Sequence, residues 1–158
     1  SNLEVFCITN KKIDTLEKLN LKLVGVGKDD FPENYINTKT GKNIQNKEKF
    51  YSELVFHYWF WKNQLYKYED NIWIGFCQKR RFWIKSQSSK IDIVKSNLKE
   101  HLLVEPEEIW KNYESIICNS INVSTTATGW YFANVSLLST PKVTPIRSIP
   151  ADLAICIS

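Results

Sequence analysis

The sequence contains no methionine and begins with Ser1-Asn2. We interpret residues 1–2 as the remnant of a cleaved tag, and the whole chain as a piece of a longer protein that ends abruptly at Ser158. No stretch reaches the roughly 18 apolar residues of a membrane-spanning helix, and no signal peptide is visible. We therefore expect no membrane span and a cytoplasmic location, with peripheral attachment to the inner membrane left open.

Histidine and cysteine are scarce, and the sequence has no Cys-x-x-Cys pair. The few such residues are scattered: Cys7, His57, Cys77, His101, Cys118 and Cys156. Three of the cysteines lie in apolar runs, where a thiol packs as a small hydrophobe, which fits a reducing cytoplasm. The Asp-x-Asp motif, which can hold a divalent cation on a diphosphate, is also absent. We predict no metal site in the protein itself and leave open a Mn²⁺ or Mg²⁺ ion that accompanies a ligand.

Other familiar motifs are missing as well. The chain has no Gly-x-Gly-x-x-Gly, Walker A or Gly-x-Ser-x-Gly sequence. Its net charge of +4 comes mostly from lysine, because arginine occurs only at positions 80, 81 and 147. Without a nucleic-acid-binding motif or a clustered basic face, the charge does not indicate a nucleic-acid partner.

What the sequence does contain is a regular alternation of strand and helix patterns in a chain of single-domain length. Apolar runs rich in β-formers predict strands at 3–9, 21–26, 72–77 and 115–123. Helical patterns predict helices at 15–19, 49–68 and in the segment after Glu105, with Asp14 as the N-cap of the first. Residues 29–49 read as a long polar loop. This order predicts an α/β sheet over 3–123, with ligands at the carboxyl ends of the strands. Residues 124–158 form a Ser/Thr-rich segment that stays unassigned, with β-structure possible near 129–138.

The aromatic segment 49–68 carries the clearest periodicity. An apolar stripe recurs at helical spacing and widens to more than half the circumference, with the members Phe50, Leu54, Tyr58, Trp61 and Leu65, joined by Tyr51, Val55 and Trp59. This pattern predicts a single long helix that is buried on more than one side.

Gln78-Lys79-Arg80-Arg81 follows the strand at 72–77 directly. Three cations and an amide at a strand end suit a phosphate or diphosphate, and the alternative is a solvated turn after a strand. On extended backbone adjacent side chains point apart, so at most one of Arg80 and Arg81 would face a ligand.

The helix offers further candidates, each with a structural alternative. Glu53 is either a base or an ion-pair partner of the nearby cations. Trp59 can stack on a base or sugar, but core packing is the more frequent role of an aromatic residue at helical spacing. Lys62 and Asn63 can turn toward a ligand or cap the helix, and His57 reads as a core histidine.

These residues also resemble a known family in order and spacing. Segments 41–44 (GKNI), 51–54 (YSEL), 58–63 (YWFWKN) and 73–83 (WIGFCQKRRFW) are similar to a family of glycosyltransferase-like proteins often encoded among capsular and exopolysaccharide synthesis genes. That family has approximately G-[DN]-N-I-S, C-E-L-T, Y-W-A-W-K-N and I-G-L-C-H-Y-R-R-Y-F at these places. Its first strand and a following glycine correspond to residues 8–11 and 24–25. Two positions depart from the pattern, since Gln78 replaces a histidine and Lys79 a tyrosine.

The resemblance implies a Rossmann-like domain of the glycosyltransferase A type. It further implies a nucleotide-sugar donor, a glycan or lipid-linked acceptor, and a role in capsule or surface-polysaccharide synthesis. The residues it marks for donor binding are Thr9, Asn10, Lys11, Asn43, Trp59, Lys62, Asn63, Gln78, Lys79, Arg80 and Arg81, with Glu53 as the acceptor's base. The alternative is a non-catalytic glycan-binding or scaffold domain, which the missing acidic pair and the substituted histidine favour.

Overall fold

The computed structural model describes residues 2–88, 93–117 and 136–139. The elements in chain order are β1 (Leu3–Thr9), α1 (Asp14–Glu17), β2 (Lys22–Gly25), β3 (Tyr35–Asn37), α2 (Glu48–Tyr51), α3 (Leu54–Asn63), β4 (Trp73–Gln78), α4 (Leu98–His101), β5 (Ser115–Ile117) and β6 (Ser136–Ser139). Short 3₁₀ turns occupy Gln45–Lys47, Leu65–Lys67, Ser86–Ser88 and Glu108–Asn112. Residues 118–123 of the strand predicted at 115–123, including Cys118, lie outside the described residues, as does the unassigned segment 124–158 with Cys156, apart from β6.

The strands form one sheet in the order β3-β2-β1-β4-β6-β5. The first four are parallel, and β6 runs antiparallel to both β4 and β5. The predicted α/β architecture is therefore confirmed. Parallel strands buried on both faces read as near-continuous apolar runs, which is why LEVFCIT and WIGFC could be recognised from sequence.

The two faces of the sheet pack separate apolar clusters. Alternate residues of β1 point to opposite sides, so Phe6 and Ile8 face α3 while Val5 and Cys7 face the other layer. The α3 side is rich in aromatic contacts around Phe56, which is fully buried against Phe6 and Phe76. The cluster on the α3 side, which includes Val55, Phe56, Trp59 and Phe60, holds α3 against the sheet.

The predicted helix over 49–68 is broken. Ser52 adopts φ 49°, ψ −125° and ends α2, and α3 starts two residues later. A positive φ is uncommon for a residue with a side chain and cannot continue a right-handed helix. The prediction of one continuous helix is wrong for this reason.

The predicted buried side of that segment is confirmed for Val55 and Trp59 and wrong for the exposed members of the stripe. Val55, Phe56, Trp59 and Phe60 face the sheet, whereas Phe50, Tyr51, Leu54 and Trp61 are exposed. Because the helix is apolar nearly all round, its periodicity could not select the inner face.

Two smaller predictions are corrected as well. Ile13 is the N-cap of α1, and Asp14 is its first helical residue. The segment read as a long loop contains β3, which extends the parallel sheet next to β2, and the turn at Gln45–Lys47. A three-residue strand with the sequence YIN is too short to show a period.

Candidate functional site

The carboxyl ends of the four parallel strands lie at one edge of the sheet. The register pairs Thr9 with Gly25, Gly25 with Asn37, and Ile8 with Gln78. From β1 the chain proceeds outward to β2 and β3 and then returns to place β4 on the other side of β1. The strand order thus reverses between β1 and β4, which is where open α/β sheets bind ligands.

A tight turn of residues 78–81 follows β4. The backbone N–H of Gln78 donates to the carbonyl of Arg81, and the Arg81 N–H donates back to that of Gln78, at 3.2 and 3.1 Å. Lys79 and Arg80 therefore occupy the tip, with Arg80 exposed and Arg81 buried. The backbone here is a turn and not the extended segment assumed from sequence, but only one of the two arginines is exposed.

Lys79 links this turn to the end of β1. Its Nζ donates to Oδ1 of Asn10 at 2.6 Å, across the place where the strand order reverses. Burial lowers the pKa of Lys79, and the neighbouring charges of Arg80 and Lys11 lower it further. Arg80 and Lys11 thus repel the partly desolvated ammonium of Lys79. An anion bound among these three cations would relieve the repulsion. We call Asn10, Lys11, Lys79 and Arg80 the cationic corner.

Thr9 shapes the loop that carries Asn10 and Lys11. It is buried, and its Oγ1 donates to the carbonyl of Lys11 at 2.7 Å while accepting the Lys11 N–H at 3.2 Å. Thr9 therefore holds the turn after β1, which presents the exposed residues Asn10 and Lys11 of the corner.

Glu53 and Gln78 meet beside the corner. The Gln78 amide donates to Oε1 of Glu53 at 2.5 Å. Next to them His57 packs 4.5 Å from the ring of Phe76, measured between centroids. Burial lowers the pKa of His57, and the charge of Glu53 opposes this shift. The expected ion pair of Glu53 with Arg80 or Lys62 is replaced by this amide contact.

The loop between β3 and α2 adds polar groups that the sequence analysis did not select. Gln45 donates to the carbonyl of Gly27 at 2.9 Å and accepts from Thr38 at 3.1 Å. Gly27 has φ 93°, and a Cβ placed there would lie 3.5 Å from the Glu48 carboxylate. Glu48 therefore reaches the same edge as Asn10, and no spacing signal in the sequence indicated this.

Asn43, Trp59 and Asn63 hold the polar loop against α3. The Trp59 indole donates to the carbonyl of Thr40 at 2.7 Å from a buried ring. Asn63 donates to the carbonyl of Lys42 at 2.8 Å and accepts its N–H at 3.1 Å. Asn43 donates to carbonyls within its own loop. Their polar groups and the Trp59 ring are thus engaged in the fold.

Lys62 lies away from the cationic corner. Its Nζ is 3.3 Å from the centroid of the exposed Trp61 ring, on the outer side of α3. The structure therefore brings together the predicted residues at the ends of β1 and β4 with Glu53, and it separates Lys62 from them.

Gly25 ends β2 at this edge, where a glycine could suggest a phosphate-binding turn. A Cβ added there would overlap the ring of Phe31. The glycine therefore makes room for an aromatic side chain of the protein itself.

Two features concern metals and membranes. Within residues 2–88, 93–117 and 136–139, no three His, Cys, Asp or Glu side chains gather as a metal site. In the same ranges, no helix has both the length and the apolar character needed to cross a bilayer.

The comparisons with known proteins agree with this fold. The apo structure of the WbbM bifunctional glycosyltransferase is similar with a TM-score of 0.54 and 20% identity, covering 74% of this chain and 22% of that one. The chain thus spans about a fifth of the length of that protein, and the likeness establishes a shared fold. No curated protein matches the chain. The model of a domain family of unknown function, DUF4422, matches residues 4–142, which is most of the sequence, and the chain therefore belongs to the DUF4422 family.

Proposed function

We propose that this domain binds a nucleotide-activated sugar and serves its transfer to a glycan or lipid-linked acceptor during bacterial capsule or surface-polysaccharide synthesis in the cytoplasm. The cationic corner at the strand-order reversal carries the proposal, because adjacent cations, of which Lys79 is partly desolvated, suit a diphosphate. The glycosyltransferase fold of the similar structure supports the class of reaction.

The chemistry asked of the site is modest. In sugar transfer the departing nucleoside diphosphate gains negative charge, and fixed cations aimed at it lower the barrier. Lys79, Lys11 and Arg80 serve that role in the proposal, with Asn10 orienting the Lys79 ammonium. Glu53 is the base for the acceptor hydroxyl, held in place by Gln78. A Mn²⁺ or Mg²⁺ ion bound to the diphosphate would share the neutralisation.

A thermal-shift experiment tests donor binding. The 158-residue chain is heated with uridine, guanosine, cytidine or adenosine diphosphate, each with and without manganese. A ligand at one hundred times its Kd stabilises the fold by about 2.7 kcal/mol. For a domain of this size that corresponds to an upward shift in Tm of roughly 5–10 °C. A shift with one nucleotide and not with inorganic phosphate supports the proposal.

The second candidate is a non-catalytic glycan-binding or scaffold domain. Gln78 favours it, because an amide cannot exchange a proton as the histidine of the similar family can. Absence of any nucleotide-dependent shift, together with stabilisation by an oligosaccharide, would replace the first function with this one.

A further inference from the structure

The outer side of α2 and α3 is apolar and open. Of the large apolar side chains that are exposed in the described part of the chain, more than half lie within this short stretch: Phe50, Tyr51, Leu54, Trp61 and Tyr66. Phe50 is 80% exposed and Trp61 58%. Scattered exposed apolar residues need no explanation, but a concentration in one short stretch of chain marks an interaction surface.

Two of these residues, Leu54 and Trp61, lie on α3, where the helix geometry gives their side. Val55, Phe56, Trp59 and Phe60 face the sheet. At 3.6 residues per turn, Leu54, Tyr58 and Trp61 lie on the opposite side of the helix. The rings of Tyr58 and Trp61 touch edge to face, with centroids 6.1 Å apart. We call the five exposed residues, with Tyr58, Lys62 and Lys67, the aromatic–lysine face.

Lysines accompany the exposed aromatic rings of this stretch. Lys62 lies over Trp61, and Lys67 Nζ is 5.6 Å from the centroid of Tyr66. The two carboxylates of the same stretch are directed elsewhere, since Glu53 accepts from Gln78 and Glu48 lies beside Gly27. The outer side therefore combines aromatic rings and cations without those carboxylates.

We propose that the aromatic–lysine face docks on an anionic lipid surface. Aromatic rings with polar edges favour the level of the lipid headgroups, and lysine side chains reach from apolar surface to phosphate. Cations beside a membrane are attracted by anionic lipids, and apolar contact adds to that attraction.

Two other occupants fit less well. A glycan would stack on a bare aromatic ring, but the Lys62 ammonium covers the Trp61 ring. A second copy of the chain would bring Lys62 and Lys67 of both copies into one two-fold interface, where their like charges repel. The charge of the face is instead complementary to that of an anionic bilayer.

The proposal does not depend on nucleotide-sugar binding, although the two fit together. Glu53, which precedes α3, contacts Gln78 at the strand-end edge. A lipid surface on the outer side of α3 would therefore lie near that edge, where a lipid-linked acceptor would be presented.

Vesicle co-sedimentation tests the inference on the 158-residue chain. We expect the protein to pellet with vesicles of phosphatidylcholine mixed with phosphatidylglycerol, and to remain in the supernatant with phosphatidylcholine alone. Raising the salt concentration should release it, because screening weakens the attraction. Equal partitioning to both vesicle types, or no partitioning to either, would overturn the proposal.

Two double variants separate the apolar and charged parts. Phe50→Ser with Trp61→Ser should lower the partition coefficient about tenfold or more, since both side chains lose apolar surface that the bilayer would bury. Lys62→Gln with Lys67→Gln should lower it about 25-fold, at about fivefold for each lysine.

Matched controls guard against general effects. Val94→Ser with Ile109→Ser removes exposed apolar groups outside the face and should leave partitioning unchanged. If light scattering shows a wild-type dimer that Phe50→Ser with Trp61→Ser converts to a monomer, the face joins two copies and the lipid proposal fails. Nucleotide thermal shifts measured on the same variants report the proposed function separately.

Discussion

Replacing Lys79 by glutamine is the sharpest perturbation of the cationic corner. The lysine Nζ contacts Asn10 and is partly desolvated beside Arg80 and Lys11. Glutamine removes the charge and keeps an N–H donor for Asn10, on a side chain one bond shorter. The change therefore isolates the electrostatic role of the residue.

Its effect on affinity follows from the loss of one charge-assisted contact. Such a contact contributes about 1.5–3 kcal/mol when it reaches a charged ligand. The Kd of the nucleoside diphosphate should therefore rise about 10- to 150-fold. Raising the ionic strength should weaken wild-type binding more than binding by the variant, because the variant has lost one of the charges that salt screens.

In the protein without ligand, the same substitution should not lower the free energy of unfolding. The pKa of Lys79 is lower in the fold than the ordinary value of 10.5, so the unfolded chain holds this proton more tightly. The cation therefore disfavours folding at neutral pH, and that penalty disappears as the pH rises through the folded pKa towards 10.5. The glutamine variant should be at least as stable as the wild type at pH 7.

Titration calorimetry with the best-binding nucleoside diphosphate and thermal unfolding without ligand measure the two effects. Lys111→Gln is the matched control, because it removes the same charge near Trp110, which packs on Trp73 at the opposite end of β4. Unchanged affinity in the Lys79 variant would refute the placement of the diphosphate. An equal loss of affinity in the Lys111 variant would show that the effect comes from the net charge of the protein alone.

Three further predictions concern the fold around the site. Phe56→Ala should cost about 3–5 kcal/mol of unfolding free energy in urea denaturation, because the ring is fully buried, whereas Phe50→Ala should change it little. Burial lowers the pKa of His57 in the fold, so the unfolded chain binds this proton at a higher pH than the folded chain does. The free energy of unfolding should therefore fall as the pH drops below about 6.5 towards the folded pKa. His57→Gln should flatten that part of a plot of Tm against pH. Asn63→Ala removes hydrogen bonds to Trp59 and Lys42 and should lower the free energy of unfolding by about 1–3 kcal/mol. Faster trypsin cleavage after Lys42 is the local measurement, and Asn46→Ala, on an exposed turn, is the control.

The sheet was predictable where burial acts on whole runs of residues. β1, β2 and β4 are nearly continuous apolar segments, and the strand-end rule then placed Asn10, Lys11 and Lys79 at a common edge. That rule needs only the topology, since carboxyl ends of parallel strands meet whatever the loops do.

Local geometry accounts for what the sequence did not indicate. The left-handed backbone of Ser52 divides the aromatic helix, and no glycine or proline marks that place. Glu48 lies beside Gly27 at the strand-end edge because of how the loop between β3 and α2 folds, which no spacing in the sequence indicates. The nucleotide, the acceptor and the roles of Arg80, Arg81 and Glu53 stay predictions.

The packing of Phe31 against Gly25 has a consequence for comparing related sequences. A Cβ at position 25 would need the space that the ring fills, so the two positions should change together. A relative with alanine or serine at the first position should have a smaller residue at the second. If this glycine proves invariant across relatives, the packing of an aromatic ring over the end of a strand explains it. Such invariance should then not be counted as support for phosphate binding.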